Sequence, residues 1–244
     1  MATIQAAKCY GLHHLGAIAP GYQADFVVLD NLSDMNVLEV YHRGKKIIKD
    51  EKVEIRPCDP QLKNTVHLLG FRESDLCLPW REGKVHILKM LEGQIVTEDV
   101  QEEVGYTEEK GRKVFKPDGT YQKIAAVERH KNTGKIGVGI VKGFGLRGGA
   151  IASSVSHDSH NLIVIGDNDH DMYLAVQELL RTQGGYTLVE NGQVFDTLPL
   201  PIMGLMSDAG YEKVNEKLAR MIPKAHEMGI PEGFDPFITL SFMA

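Results

Sequence analysis

Between Lys84 and Gly166 seven short apolar runs succeed one another, each bounded by glycine, proline, acidic or small polar residues. That succession confines this stretch to a sheet, because runs of this length suit strands and fall short of buried helices. They are Lys84–Leu91, Gln94–Val100, Lys113–Lys116, Gln122–Arg129, Lys135–Val141, Ala150–Ser154 and Leu162–Gly166. Gly119, within Pro117-Asp118-Gly119, reads as a hairpin turn. Seven acids and no Lys or Arg fall between Glu92 and Glu109, the mark of a solvated edge. Helical spacing then takes over. Met172, Ala175, Val176, Leu179 and Leu180 predict a helix over 169–183, capped by Asn168 and ended by Gly184. Tyr211, Val214, Leu218, Met221, Ile222 and Ala225 predict a second over 209–228, kinked at Pro223 and ended by Gly229. Strands first and helices later make an α+β domain, a sheet flanked by helices and covered on one side.

Upstream lies a smaller β unit. Met1 leads at once into a helical stretch closing on Gly11, then Phe26–Leu29 reads as a buried strand, Val37–Arg43 as a second and Ile47-Ile48 as a third. Pro57, Pro60 and Pro79 mark a connector, interrupted by the apolar Val66–Leu69. The division expected is therefore 1–56, connector 57–82, and an α+β domain over 83–244. Both ends suggest a part of a longer chain. The first helix has no earlier element to pack on, and the final run Phe237–Met243 is apolar enough to want burial on both faces.

Net charge is −6 with a pI near 5.9, which leaves no basic surface for nucleic-acid phosphates. A small neutral substrate or a protein partner fits better. Cys9, Cys58 and Cys77 are odd in number and lack metal-finger spacing, which points to a reducing cytoplasm. Neither a signal peptide nor a membrane-length apolar run is present, so a cytoplasmic location with no membrane partner is expected.

Three stretches could carry chemistry. Glu128-Arg129-His130 places three ionisable groups where an apolar strand emerges, a geometry shared by site lips and ordinary solvated turns. The glycines at 137, 139, 143, 145, 148 and 149 resemble a dinucleotide loop only in part. Gly137 and Gly139 sit inside an apolar run and no long helix follows, so phosphate binding is rejected and close backbone approach preferred. Ser153-Ser154-Val155-Ser156-His157-Asp158-Ser159-His160-Asn161 is the densest polar segment. Its His-x-x-His with an intervening Asp could hold one divalent metal or pair an imidazole with a carboxylate for proton transfer. Alternatively its hydroxyls satisfy their own backbone. Asp167, Asp169, His170 and Asp171 read instead as charge complementing a helix N-terminus.

Gly16-Ala17-Ile18-Ala19-Pro20-Gly21 through Ala24-Asp25-Phe26-Val27-Val28-Leu29-Asp30 resembles the closing segment of the amidohydrolase superfamily, where the chain leaves a (β/α)₈ barrel and completes a small β-sandwich. Val127–His130, Gly137–Gly145, Ala152–Asn161 and Leu198–Ser207 resemble the C-terminal domain of bacterial adenine deaminases. That resemblance implies a parent enzyme hydrolysing adenine to hypoxanthine and ammonia with hydroxide from a divalent metal, manganese or iron, held on a missing barrel domain. A homo-oligomer is expected. This chain alone is expected to bind no metal and to be inactive. His157 and Asp158 become the catalytic candidates, and Glu128, Arg129, His130, Ser153, Ser154, His160 and Asn161 the substrate-pocket candidates. Two other readings stand beside it: a non-catalytic assembly or lid module, marked by a large apolar face at Phe237–Met243, and a small metal hydrolase built on His157, Asp158 and His160.

Overall fold

The computed structural model describes residues 3–47 and 58–243. Ala2, Ile48 and the expected boundary at 56–57 lie outside the described residues. The chain separates into two compact units, Met1–Pro57 and Cys58–Ala244.

In the first unit, α1 spans Ile4–Cys9. Gly11 ends it with φ +69°, its N–H reaching Lys8 O while Leu12 N–H reaches Ala7 O. Those two bonds satisfy carbonyls that a helix end otherwise leaves bare, and the left-handed turn they require suits glycine. Strands β1 (Phe26–Leu29), β2 (Val37–His42) and β3 (Lys45–Ile47) form an antiparallel sheet in that order. Phe26 stacks on Tyr41 across the register at 4.5 Å. Phe26–Leu29 is a strand as expected from its aromatic and β-branched residues. It is not buried within this unit, where Val27 is 52% exposed.

The second unit is built on an eight-stranded sheet. Its strands are β4 (Val85–Met90), β5 (Thr97–Glu102), β8 (Tyr121–Val127), β9 (Ile136–Lys142), β10 (Gly149–Ser153), β11 (Leu162–Gly166), β12 (Gly185–Glu190) and β13 (Gln193–Pro199). Their order is β13-β12-β10-β11-β8-β9-β4-β5, antiparallel throughout except between β4 and β9. Two further strands, β6 (Tyr106–Glu109) and β7 (Arg112–Phe115), make a separate hairpin. The turn at Pro117–Gly119 therefore does not close a hairpin. It passes the chain from β7, which pairs with β6, into β8, which pairs with β9 and β11. The acidic stretch does lie at an edge, since β5 is the outermost strand.

Helices cover both faces of this sheet, not one. Helix α2 (Asp169–Thr182) lays Met172, Ala175, Val176 and Leu179 on Ala150, Ala152, Leu162 and Val164. Helices α3 (Tyr211–Glu227) and α4 (Pro236–Ser241) lie on the opposite face, against Ile151, Ile163 and Ile165. Alternate residues of β10 and β11 thus meet different helices, which is why both strands are buried along their whole length and read as continuous apolar runs. Helices do not simply follow strands: β12 and β13 come after α2 and extend the sheet. Helix α3 runs unbroken through Pro223, and Tyr211, placed by its periodicity on the inner face, is exposed.

Residues 58–82 pack into this unit through Val66, Phe71 and Leu76, which join the core under α2. At the end of α2 the left-handed position falls to Gln183 (φ +60°), one residue before the glycine expected there. Its amide compensates, accepting Val66 N–H at 3.0 Å and donating to Leu180 O at 2.9 Å. The final apolar run is helical, with Asp235 capping α4 through Phe237 N–H and Ile238 N–H. It buries one face only. Phe237, Leu240 and Met243 are inside, while Ile238 and Phe242 point outward.

Candidate functional site

The polar loop 154–161 joins β10 to β11 and is fixed from below. Ser154 is fully buried. Its hydroxyl donates to Gly204 O at 2.5 Å and accepts Gly185 N–H at 2.8 Å. Ser153 Oγ closes a small turn with Val155, donating to its carbonyl and accepting its N–H. On the outer side, His157 N–H donates to Ser241 O at 2.8 Å and the ring stacks on Phe242 at 4.7 Å. A cis peptide joins His157 to Asp158. His157, Asp158 and Ser159 are exposed, and the His160 ring meets the edge of His157 at 5.8 Å.

Among the described residues four buried side-chain polar atoms lack a hydrogen-bond partner, and three of them belong to this loop: Ser156 Oγ, His160 Nδ1 and Asn161 Oδ1. Most buried polar atoms in folded proteins are paired, so this concentration marks the loop as unfinished in polar terms. Burial, followed by the nearby His157 and Arg129, holds the His160 imidazole below its ordinary range. Sequence reasoning passed over Ser156 as a single residue, although it lies inside the flagged segment.

The Glu128-Arg129-His130 group divides. Glu128 turns its carboxylate onto its own turn, accepting His130 N–H and Lys131 N–H at 2.6 Å and Thr133 N–H at 2.9 Å. These bonds, the Thr133 amide first, hold its pKa down to about 2. Folding therefore gains from this group above the ordinary carboxylate range and loses that gain as pH falls toward 2. Glu128→Gln is expected to lower stability at pH 7 by about 1 kcal/mol, the figure discounted because the carboxylate is solvated. The deficit should vanish near pH 2, as read by thermal melts at both pH values; an equal deficit at both would refute it.

Arg129 points inward and is 1% exposed. Its Nε donates to His160 O at 2.6 Å, Nη1 to Thr65 O at 3.0 Å and Thr65 Oγ1 at 3.2 Å, and Nη2 to Met203 O at 3.0 Å. His130, exposed, meets Ser159 O through Nε2 at 2.9 Å. Thus the structure brings Arg129, His130 and His160 together at the base of the loop, leaves His157 and Asp158 facing out, and turns Glu128 away. Thr65 and Met203 were missed as partners of Arg129; they lie 64 and 74 residues from it, beyond any local pattern.

Among the described residues no group of three or more His, Cys, Asp or Glu side chains is placed to hold a metal ion. His157, Asp158 and His160 do not form such a set, and these residues do not fit a bound catalytic metal. The mark of an assembly module is reduced to Ile238 and Phe242, because the rest of the Phe237–Met243 run is spent inside the fold. No helix among the described residues is long and apolar enough to cross a membrane.

Residues 94–244 match the family described as adenine deaminase C-terminal domain, and residues 1–47 match the amidohydrolase family. An adenine deaminase of Desulfitobacterium hafniense is 50% identical over 244 residues, taking in 100% of this chain and 42% of that protein. One from Nitratidesulfovibrio vulgaris is 42% identical over 247 residues, covering 100% of the chain and 42% of the relative. One from Petrotoga mobilis is 41% identical over 253 residues, with 100% and 43% covered. The chain spans about 42% of the length of the first of these curated relatives.

Proposed function

The chain belongs to the adenine deaminase C-terminal domain family, and from that membership we propose that it is the C-terminal part of an enzyme that hydrolyses adenine to hypoxanthine and ammonia. The parent is proposed to act in the cytoplasm, in purine salvage or adenine catabolism, as a homo-oligomer. A divalent metal, manganese or iron, would be held by a part of the parent enzyme that this chain does not span.

Within that enzyme, the part taken by this chain is to cover and orient the purine. The observation that carries this is the contrast within one loop. Its base is locked by Ser154 and Arg129 in buried hydrogen bonds, while His157 and Asp158 stand exposed above it. An imidazole and a carboxylate on a rigid mount offer a donor and an acceptor to a neutral purine edge. Holding the ring still and keeping water out both assist the reaction. The pocket-facing set is therefore His157 and Asp158, with His160, Asn161 and His130 beside them.

His157→Ala and Asp158→Asn in the full-length enzyme are expected to lower kcat/KM for adenine at least about tenfold, near 1.4 kcal/mol of barrier. Metal content and melting temperature should stay at the parent's values. Unchanged kinetics would end the role of the loop, and adenine turnover by the isolated 244-residue chain would end the reading of it as a covering part.

A further inference from the structure

Arg129, one of the two locks at the base of the loop, ties it to segments far away in the chain. A guanidinium presents five N–H donors in a rigid planar fork, and here four hydrogen bonds run from it into three chain segments. No carboxylate among the described residues lies within salt-bridge distance of it, so the cation is answered by carbonyl and hydroxyl dipoles alone. Such a buried charge is costly to desolvate and an apolar side chain would fill the volume more cheaply. What an apolar side chain cannot do is bind three carbonyls at fixed angles.

The bond to His160 O is the shortest of the four, at 2.6 Å. His160 also carries φ +49°, a left-handed conformation that residues other than glycine adopt at a cost and keep only where the surroundings enforce it. Thr65 and Met203, the other anchors, are themselves tied down. Thr65 precedes Val66, whose N–H is taken by the Gln183 amide. Met203 N–H donates to Leu62 O at 2.7 Å. Gly204 lies flat against the fork, so close that a Cβ there would stand 2.9 Å from Nη1 and Nη2.

We propose that Arg129 is a positioning residue of the deaminase site: it fixes the backbone of His160 against two distant segments, and through His160 sets where His157 and Asp158 stand. It touches no substrate. The inference rests on the loop's proposed role in orienting adenine, and the test separates the two.

The full-length, metal-loaded enzyme is compared as wild type, R129K, H157A and R129K/H157A. Lysine keeps the charge and loses the fork. R129K is expected to lower kcat/KM about ten- to a hundredfold, as small misplacements of orienting groups do, with metal content unchanged. In the H157A background the same substitution should cost a clearly smaller factor, because only Asp158 is then left to misplace. A wild-type rate for R129K overturns the proposal, and so does an equal factor in both backgrounds, which a merely structural role would give. Should R129K fail to fold, the isosteric T65V removes only the hydroxyl acceptor. A several-fold loss that shrinks in the H157A background then supports the clamp, and equal losses in both, or no loss in either, overturn it. A silent H157A would instead remove the orienting role itself, and the clamp with it.

Discussion

Gly149→Ala is expected to destabilise the second unit by about 4 kcal/mol or more, a loss large enough to prevent folding of a marginally stable domain. Gly149 opens β10 opposite Glu190 of β12. A Cβ placed there would stand 2.0 Å from Val189 O and 2.6 Å from Met228 Cε. The methionine methyl can move aside, but the carbonyl belongs to a paired strand. Nor can β10 shift the other way, because Asp167 holds it, accepting Gly149 N–H at 3.1 Å and donating its own N–H to Gly149 O at 3.2 Å. Gly137, from the same glycine-rich run, supplies the contrast. No atom lies within 4 Å of the Cβ it would acquire, and its φ is not positive. Gly137→Ala is therefore expected to be neutral or to stabilise by about 0.5 kcal/mol, through the loss of backbone freedom in the unfolded chain. Urea denaturation of the two variants decides the matter. An unchanged midpoint for Gly149→Ala, or a loss above about 1 kcal/mol for Gly137→Ala, would show that sterics at the backbone do not explain this run.

Sequence pattern was a good guide where burial was uniform and a poor one where the interior is polar. Strands β10 and β11 announce themselves because both faces are covered. Strands β12 and β13 did not, since Thr187, Thr197 and Asp196 interrupt their apolar character although all three are buried. The structure resolves the contradiction by pairing. Thr187 Oγ1 and Thr197 Oγ1 share a hydrogen bond of 2.8 Å, and Asp196 meets Lys217 of α3. Strand β6 escaped notice for a related reason. Its Glu108 and Glu109 lie opposite Lys113 and Arg112 of β7, a register that local acidity cannot reveal. The parallel pairing of β4 with β9 joins segments separated by four other strands and is likewise invisible to periodicity.

The candidate site shows the same division. Residues 153–161 stood out through their density of polar groups, and both readings of that density hold for part of it. Ser153 satisfies its own backbone, whereas Ser154 stitches two distant glycines together. Arg129, between Glu128 and His130, reads from sequence as part of a site lip or of a solvated turn. The alternation of β8 carried a better signal. Ala125 and Val127 lie on the face under α2, and continuing by two residues puts Arg129 on that same face. Its three anchors could not be read from sequence, because only the folded chain brings 65, 160 and 203 together.

The same face of β8 carries Lys123, two residues after Tyr121, and its partner yields a second large effect. Lys123 has only 4% of its side chain exposed and pairs with Asp169, the first residue of α2, whose side chain is 28% exposed. From sequence Asp169 is charge complementing the helix N-terminus; the structure gives it this cation as well. Burial raises its carboxyl above the ordinary range, outweighing the pull of Lys123. Breaking it is worse than never having built it. Asp169→Asn strands an ammonium in the sheet and is expected to cost about 3 kcal/mol at pH 7. Lys123→Met should cost less, about 1–2 kcal/mol, since the more exposed carboxyl can reach water or take a proton. The double variant Lys123→Met/Asp169→Asn should return to within about 1 kcal/mol of wild type, an apolar stem replacing a charge that no longer needs a partner. A carboxyl raised in the folded state binds its proton more readily there than in the unfolded chain. Wild-type stability therefore gains as pH falls through that raised value, and because asparagine takes up no proton the deficit of Asp169→Asn should widen on acidification. Urea titrations of the three variants at pH 7 and in mild acid test all of this. A double variant as unstable as the sum of the singles would show that each side chain contributes packing of its own, and that the pair is no unit.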